Sequence, residues 1–177
     1  MLHNRVNSKE LKEKMRSSRE SRTTISFYKY HKIEDPQQFR NELYVLFNNI
    51  GVLGRIYIAH EGINAQISVP TPQLEEFKEQ LFKIDFLNNI RLNVAVDDDG
   101  KSFFKLKILV RKKIVADGLN DASFDVTDSG THVNAIEFNK LADDPKTVIV
   151  DMRNHYESEV GHFKNAICPD ADSFREE

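Results

Sequence analysis

Four groups of residues in this chain carry side chains that could do chemistry. The first is Cys168, the sole cysteine. A nucleophilic or persulfide-carrying thiolate needs backbone N–H groups, and usually a cation, to depress its pKa and hold the sulfur. Cys168 lies between Ile167 and Pro169 with neither glycine nor a basic residue beside it. It is therefore expected to be an ordinary half-buried thiol and not catalytic. The second group is His60-Glu61-Gly62-Ile63-Asn64, the densest polar cluster in the first half of the chain. A His/Glu pair can move protons. A plain turn, with Gly62 supplying positive φ, explains the same residues equally well. The third is the basic stretch from Lys101 to Lys113, with six Lys/Arg and no acid. Lys105, Lys107, Arg111 and Lys113 fall on its odd positions, as a cationic strand face would. Such a face neutralises phosphates, with Arg55 and Arg91 as weaker candidates for the same contact; a solvated face or an interdomain surface has the same pattern. The fourth is Asp151, Arg153, Glu157 and His162, at and after the C-terminal end of an apolar run, where open α/β sheets place their sites. His155 and His162 belong to no cluster with metal-ligand spacing, so no metal site is expected.

These groups are positioned by a legible series of elements. Residues 1–22 are polar and free of glycine, and read as an arm or short surface helix. Thr23 to Tyr30 alternates with period two and is β-branched and aromatic, hence a strand. Asp35-Pro36 is an N-cap with proline at the first helical position. Phe39, Leu43, Leu46, Phe47 and Ile50 then recur at helical spacing up to Gly51, a C-terminal stop. Strands are expected over Leu53–Ala59, Ile63–Val69 and Arg91–Val96. A second helix, opened by Thr71-Pro72, carries Leu74, Phe77, Leu81 and Ile84. The order β-α-β-β-α-β is the ferredoxin-like arrangement, with both helices on one sheet face. The other face presents Tyr28, Tyr57, Asn64, Gln66, Arg91 and Asn93. Tyr57 and Asn64 there invite comparison with sheet platforms that stack and read unpaired bases. The basic strand or the second domain could equally cover that face.

Phe103 to Val115 reads as one more strand, with Phe104, Leu106, Ile108 and Val110 inward. Residues 116–130 read as a linker. A helix over 132–141 and a strand over Thr147–Val150 follow, the strand unalternating as if buried on both faces. One helix and one parallel strand do not make a sheet. The expected organisation is thus α+β: an arm at 1–22, a ferredoxin-like domain at 23–97, a basic strand and linker at 98–130, and an incomplete α/β unit at 131–177.

Composition narrows the function classes. No apolar run reaches the roughly 20 residues of a membrane helix, and the first residues lack a signal peptide's apolar stretch. With one cysteine, a reduced cytoplasmic protein without membrane attachment is expected. The net charge of −3 argues against a uniformly basic nucleic-acid binder, and DNA is not an expected partner. The charge is graded, however: seven Lys/Arg against three Glu in the first 22 residues, and an excess of acids after Asp117. Such asymmetry is expected where one half meets an anion.

The stretch from Val148 to Glu177 resembles the opening of a rhodanese domain, through Asp151, Arg153, Glu157, Gly161, His162, Phe163 and Ala166. The segments RIYIAHEGINAQISVP, DDDGKSFFKLKILVRKKIVADGL and DDPKTVIVDMRNHYESEVGHF are similar to one family, the bacterial rhodanese-domain tRNA uridine(34) hydroxylases. The resemblance implies a ferredoxin/acylphosphatase-like N-terminal domain followed by the start of a rhodanese domain. It implies tRNA as partner and oxygen-dependent 5-hydroxylation of the wobble uridine, with molecular oxygen as co-substrate and no cofactor motif visible. It assigns Asp151, Arg153, Glu157 and His162 structural roles around the active-site loop. It also implies a catalytic cysteine in a Cys-x-x-Gly-x-Arg-Cys-like loop beyond Glu177, so that this chain contributes at most tRNA recognition; the candidate contacts for it, read from the residues themselves, are Lys105, Lys107, Arg111, Lys113, Tyr57, Asn64, His60 and Glu61. A rhodanese-type sulfurtransferase and a non-catalytic RNA-binding module are the alternatives. An acylphosphatase activity is rejected, because Thr23 to Ile33 contains no glycine-rich phosphate loop.

Overall fold

A computed structural model describes residues 7–96, 101–115 and 130–170. The chain forms two compact units, Met1–Val115 and Ala116–Glu177.

In the first unit, Asn7 caps helix α1 (Ser8–Ser17), none of whose residues is buried. Strand β1 is Arg22–Tyr30, helix α2 is Pro36–Ile50, and strands β2 and β3 are Leu53–Ala59 and Gly62–Pro70. The caps are those the residue types dictate. The Asp35 carboxylate accepts from the Gln37 and Gln38 amides, Pro36 opens the helix, and Gly51 closes it in the left-handed region at φ 80°. Thr71–Gln73 forms a 3₁₀ turn that leads into α3 (Leu74–Phe82). Ile84 lies beyond that helix, partly buried against the core. With β4 at Asn93–Val94 and β5 at Leu106–Val110, the sheet order is β4-β1-β3-β2-β5, so the ferredoxin-like four strands gain a fifth.

The core lies between the sheet and α2 and α3. Ile25 and Phe27 of β1, Ile56 and Ile58 of β2, and Ile63, Ala65, Ile67 and Val69 of β3 meet Leu43, Phe47, Phe77 and Leu81. Burying a side chain of this size contributes about 1.5–3 kcal/mol, which explains why period-two alternation survives intact in the central strands.

The outer strands depart from expectation. Strand β4 is only Asn93–Val94 instead of Arg91–Val96, and Val94 and Val96 are exposed. It pairs with β1 alone, at the sheet edge, so its second side has no neighbour to bury against. Arg91 precedes the strand and is exposed. Strand β5 is Leu106–Val110, shorter than the 103–115 run. It does not stand outside the ferredoxin-like sheet: it pairs in parallel with β2 from Gly54↔Leu106 to Ile58↔Val110. Leu106 and Ile108 are buried as the alternation requires, whereas Val110 at the strand end is exposed.

Edge strands need their unpaired backbone groups satisfied. Arg40 of α2, itself buried, donates from Nε to the Ile108 carbonyl at 3.1 Å. Its guanidinium stacks 5.0 Å from the Tyr44 ring centroid. A second arginine, Arg22, donates to the Ser68 hydroxyl, the Ser68 carbonyl and the Gly51 carbonyl, and pairs with Glu20. It ties the start of β1 to the end of α2.

The second unit holds α4 (Ala135–Ala142), opened by a reciprocal capping box between Asn134 and Glu137, and α5 (His155–Val160). The expected doubly buried strand is instead a single parallel bridge, Val150↔Ile167. Val148 is 70% exposed and Val150 48%. The described residues of this unit supply one bridging partner and no flanking layer, so the apolar run has little to bury against. The expected linker lies outside the described residues, apart from Gly130.

Candidate nucleic-acid interface

Register places the candidate residues on the sheet face opposite α2 and α3. Partners across a sheet share a face. One row runs Asn93–Ser26–Gln66–Arg55–Lys107. The next runs Tyr28–Asn64–Tyr57–Leu109. Neither row contains an acid. Arg55, Gln66, Asn93 and Lys107 are exposed. Strands lie about 4.8 Å apart, so Arg55 and Lys107 put two positive charges side by side. Arg111, just past β5, stacks its guanidinium 5.6 Å from the centroid of the Tyr57 ring. Tyr28, 59% exposed, meets Tyr30 edge-on.

The remaining candidates are held by partners within the protein. The His60 ring donates from Nδ1 to the Ile33 carbonyl at 2.9 Å, while the Ile33 amide donates to the His60 carbonyl. The Glu61 carboxylate accepts from the Ile114 amide at 2.7 Å. Asn64 donates to the Ile114 carbonyl at 3.4 Å. Glu61 and Asn64 therefore hold the chain leaving β5, with Ile114 only 3% exposed. Lys105 reaches the Ser8 hydroxyl at 3.4 Å and lies 5.7 Å from the Phe104 ring centroid, so it faces α1. Lys113 is partly buried. The structure thus brings Lys107, Arg111 and Tyr57 together with Arg55 and Gln66, and turns His60, Glu61 and Asn64 into clamps. Arg55 joins the basic row only because β5 docks beside β2, a pairing that local pattern does not encode. A groove of about 840 Å³ opens elsewhere, beside α2. It is lined by Phe39, Leu43, Leu46 and Phe86, and its acidic residues, Glu42 and Asp85, disfavour phosphate.

In the second unit, Arg153 grips the Asp151 carboxylate from Nε at 2.9 Å and a terminal nitrogen at 2.6 Å, and also donates to the Gly161 carbonyl. The Arg153 hydrogen bonds and charge hold the Asp151 carboxyl down at about 2. The same pairing raises Arg153. His162 donates to the Ser158 carbonyl at 2.9 Å, and Glu157 accepts from the Asn154 amide at 2.9 Å. All four residues brace loops within this unit. Cys168 is partly buried, its sulfur 3.8 Å from the Ala166 carbonyl. Arg153 lies within its electrostatic reach, a cationic neighbour that local sequence did not reveal. Among the described residues no group of three or more His, Cys, Asp or Glu could hold a metal ion. No helix among them is long and apolar enough to cross a membrane.

Residues 22–114 match the family model described as the UPF0176 acylphosphatase like domain. The chain belongs to this family. The matched span covers the whole five-stranded sheet, basic strand included. Curated relatives include proteins named tRNA uridine(34) hydroxylase. The one from Escherichia fergusonii is 54% identical over 178 residues, covering 100% of this chain and 51% of the relative. The one from Citrobacter koseri is 55% identical with the same coverage. The chain therefore spans about half the length of the curated relatives it matches, and both of its units lie within the aligned part.

Proposed function

We propose that this chain is the tRNA-contacting portion of a tRNA wobble-uridine hydroxylase, whose oxygen-dependent 5-hydroxylation chemistry belongs to the part of the relatives that it does not span. The reading rests on one observation above the others: two acid-free rows of one sheet face, with Arg55, Lys107 and Arg111 converging beside Tyr57. Cations neutralise phosphates, and the aromatic ring offers a base a stacking partner. Lys105 and Lys113 flank that face. Glu61 and Asn64 act on tRNA indirectly, by holding Ile114 and with it the segment that carries Arg111, while His60 holds Ile33. Cys168 is not the nucleophile, since no loop of backbone N–H groups surrounds its sulfur among the described residues. Molecular oxygen is the co-substrate, and the cytoplasm is where tRNA is met.

Mass spectrometry of unmodified tRNA tests this. Incubated with oxygen and this chain, the wobble uridine stays unmodified; incubated with a protein extended to the length of the relatives, it gains one oxygen atom. Hydroxylation by this chain alone would overturn the division of labour. Thiosulfate sulfurtransfer by the extended protein, without tRNA oxidation, would favour the sulfurtransferase reading.

A further inference from the structure

The row that carries Arg55 and Lys107 continues, on its other side, into a small cleft. Its lining includes Ser26, Gln66, Asn93 and Ser102, with Phe103 as an apolar wall. Its volume is about 320 Å³. Among the described residues the cleft carries no cation, which disfavours a phosphate there. It carries two primary amides, Gln66 and Asn93, each with a donor and an acceptor end. Both are exposed, and among the described residues neither amide has a hydrogen-bond partner. Residues 102 and 103 reach this side of the sheet because the chain passes from β4 at one edge to β5 at the other.

We propose that this cleft is a subsite for one unpaired RNA base, a role that rests on the tRNA-contacting reading above. An unstacked base presents a polar edge and two apolar faces. Gln66 and Asn93 answer the edge, and Phe103 answers a face. Gln66 pairs in register with Arg55, and Arg55 with Lys107. A base seated at Gln66 therefore leads its own backbone phosphates toward those two cations. The ligand class is a single-stranded ribonucleotide segment with at least one base turned toward the sheet.

The test is fluorescence anisotropy of the chain with a short single-stranded RNA and with the same strand made abasic at every position. The intact strand is expected to bind at least about fivefold tighter, the lower end of what one well-placed base-edge contact provides. In the double variant Gln66→Ala, Asn93→Ala that advantage falls by about fivefold, any stacking on Tyr57 being left intact, while the salt dependence of binding is kept. Gln66→Met, close in size, uncharged and exposed, does the same and guards against a folding artefact. An advantage undiminished in these variants overturns the proposal. So does equal binding of intact and abasic strands by the unaltered chain. If tRNA binding persists in either of those cases, the subsite alone fails and the tRNA-contacting reading stands. If the chain binds neither tRNA nor either strand, both fail.

Discussion

Replacing Glu61 separates the two roles that its place beside His60 left open. The Glu61 carboxylate accepts a 2.7 Å hydrogen bond from the Ile114 amide. Hydrogen bonds to charged groups contribute about 1.5–3 kcal/mol, roughly twice those between neutral groups. Ile114 is buried, so Glu61→Ala leaves its amide without a partner and loosens residues 111–115. The expected cost is about 2 kcal/mol, and a domain of this size shifts its melting temperature by about 4–8 °C per kcal/mol. Glu61→Gln keeps an acceptor oxygen but not the charge, and should lose about half as much. Asn64→Ala should lose least, because its bond to Ile114 is long at 3.4 Å. The assay is thermal melting of the three variants by circular dichroism, run beside tRNA binding at a temperature where all are folded. The predicted order of melting temperatures is Asn64→Ala, then Glu61→Gln, then Glu61→Ala as lowest. If Glu61→Ala melts like the unaltered chain yet loses tRNA binding, Glu61 touches RNA and the clamp is refuted.

Three further perturbations probe the frame. Gly62 sits at φ 149°, and a Cβ there would lie 2.1 Å from the Lys29 carbonyl oxygen. Gly62→Ala should therefore separate β1 from β3 and yield largely insoluble or early-melting protein; a melting temperature within a few degrees of the parent would contradict this. Arg40→Leu strips the only side-chain donor seen on the Ile108 carbonyl among the described residues. It should cost about 1–3 kcal/mol for the unsatisfied buried acceptor, read by urea denaturation; an unchanged midpoint would count against edge capping. Asp151, held down at about 2 from 3.8, stabilises the second unit fully above pH 3.8. That contribution fades as pH falls from 3.8 toward 2. Acid titration followed by amide exchange should show this, and Asp151→Asn should remove the pH dependence.

The central strands and helix ends were legible because their signals are local. Ile63, Ala65, Ile67 and Val69 alternate within one strand, and Asp35, Pro36 and Gly51 act within a turn of where they stand. The length of β4 was not legible, because an edge strand lacks the second neighbour that would bury Val94 and Val96. Nor was the placement of β5 beside β2, which depends on pairing across some fifty residues. The same distance hid the site's logic. His60 and Glu61 look like an acid–base pair in sequence, yet their partners, Ile33 and Ile114, lie 27 and 53 residues away. Arg55 reads as one basic residue among many until register sets it against Lys107. In the second unit, the apolar run of 147–150 anticipated burial that the single bridge to Ile167 does not provide.

The central claim is that Arg55, Lys107 and Arg111 form the phosphate-binding face. Its most direct measurement is the slope of log K for tRNA binding against log salt, for the unaltered chain and for the triple variant Arg55→Ala, Lys107→Ala, Arg111→Ala. Each phosphate contact contributes about 0.7 to 0.9 to that slope. Three lost contacts should flatten it by about 2 to 3, so the unaltered chain's affinity advantage at 50 mM salt shrinks roughly 20- to 40-fold by 200 mM. An unchanged slope, with the triple variant folded, would contradict the account and move the RNA to another face.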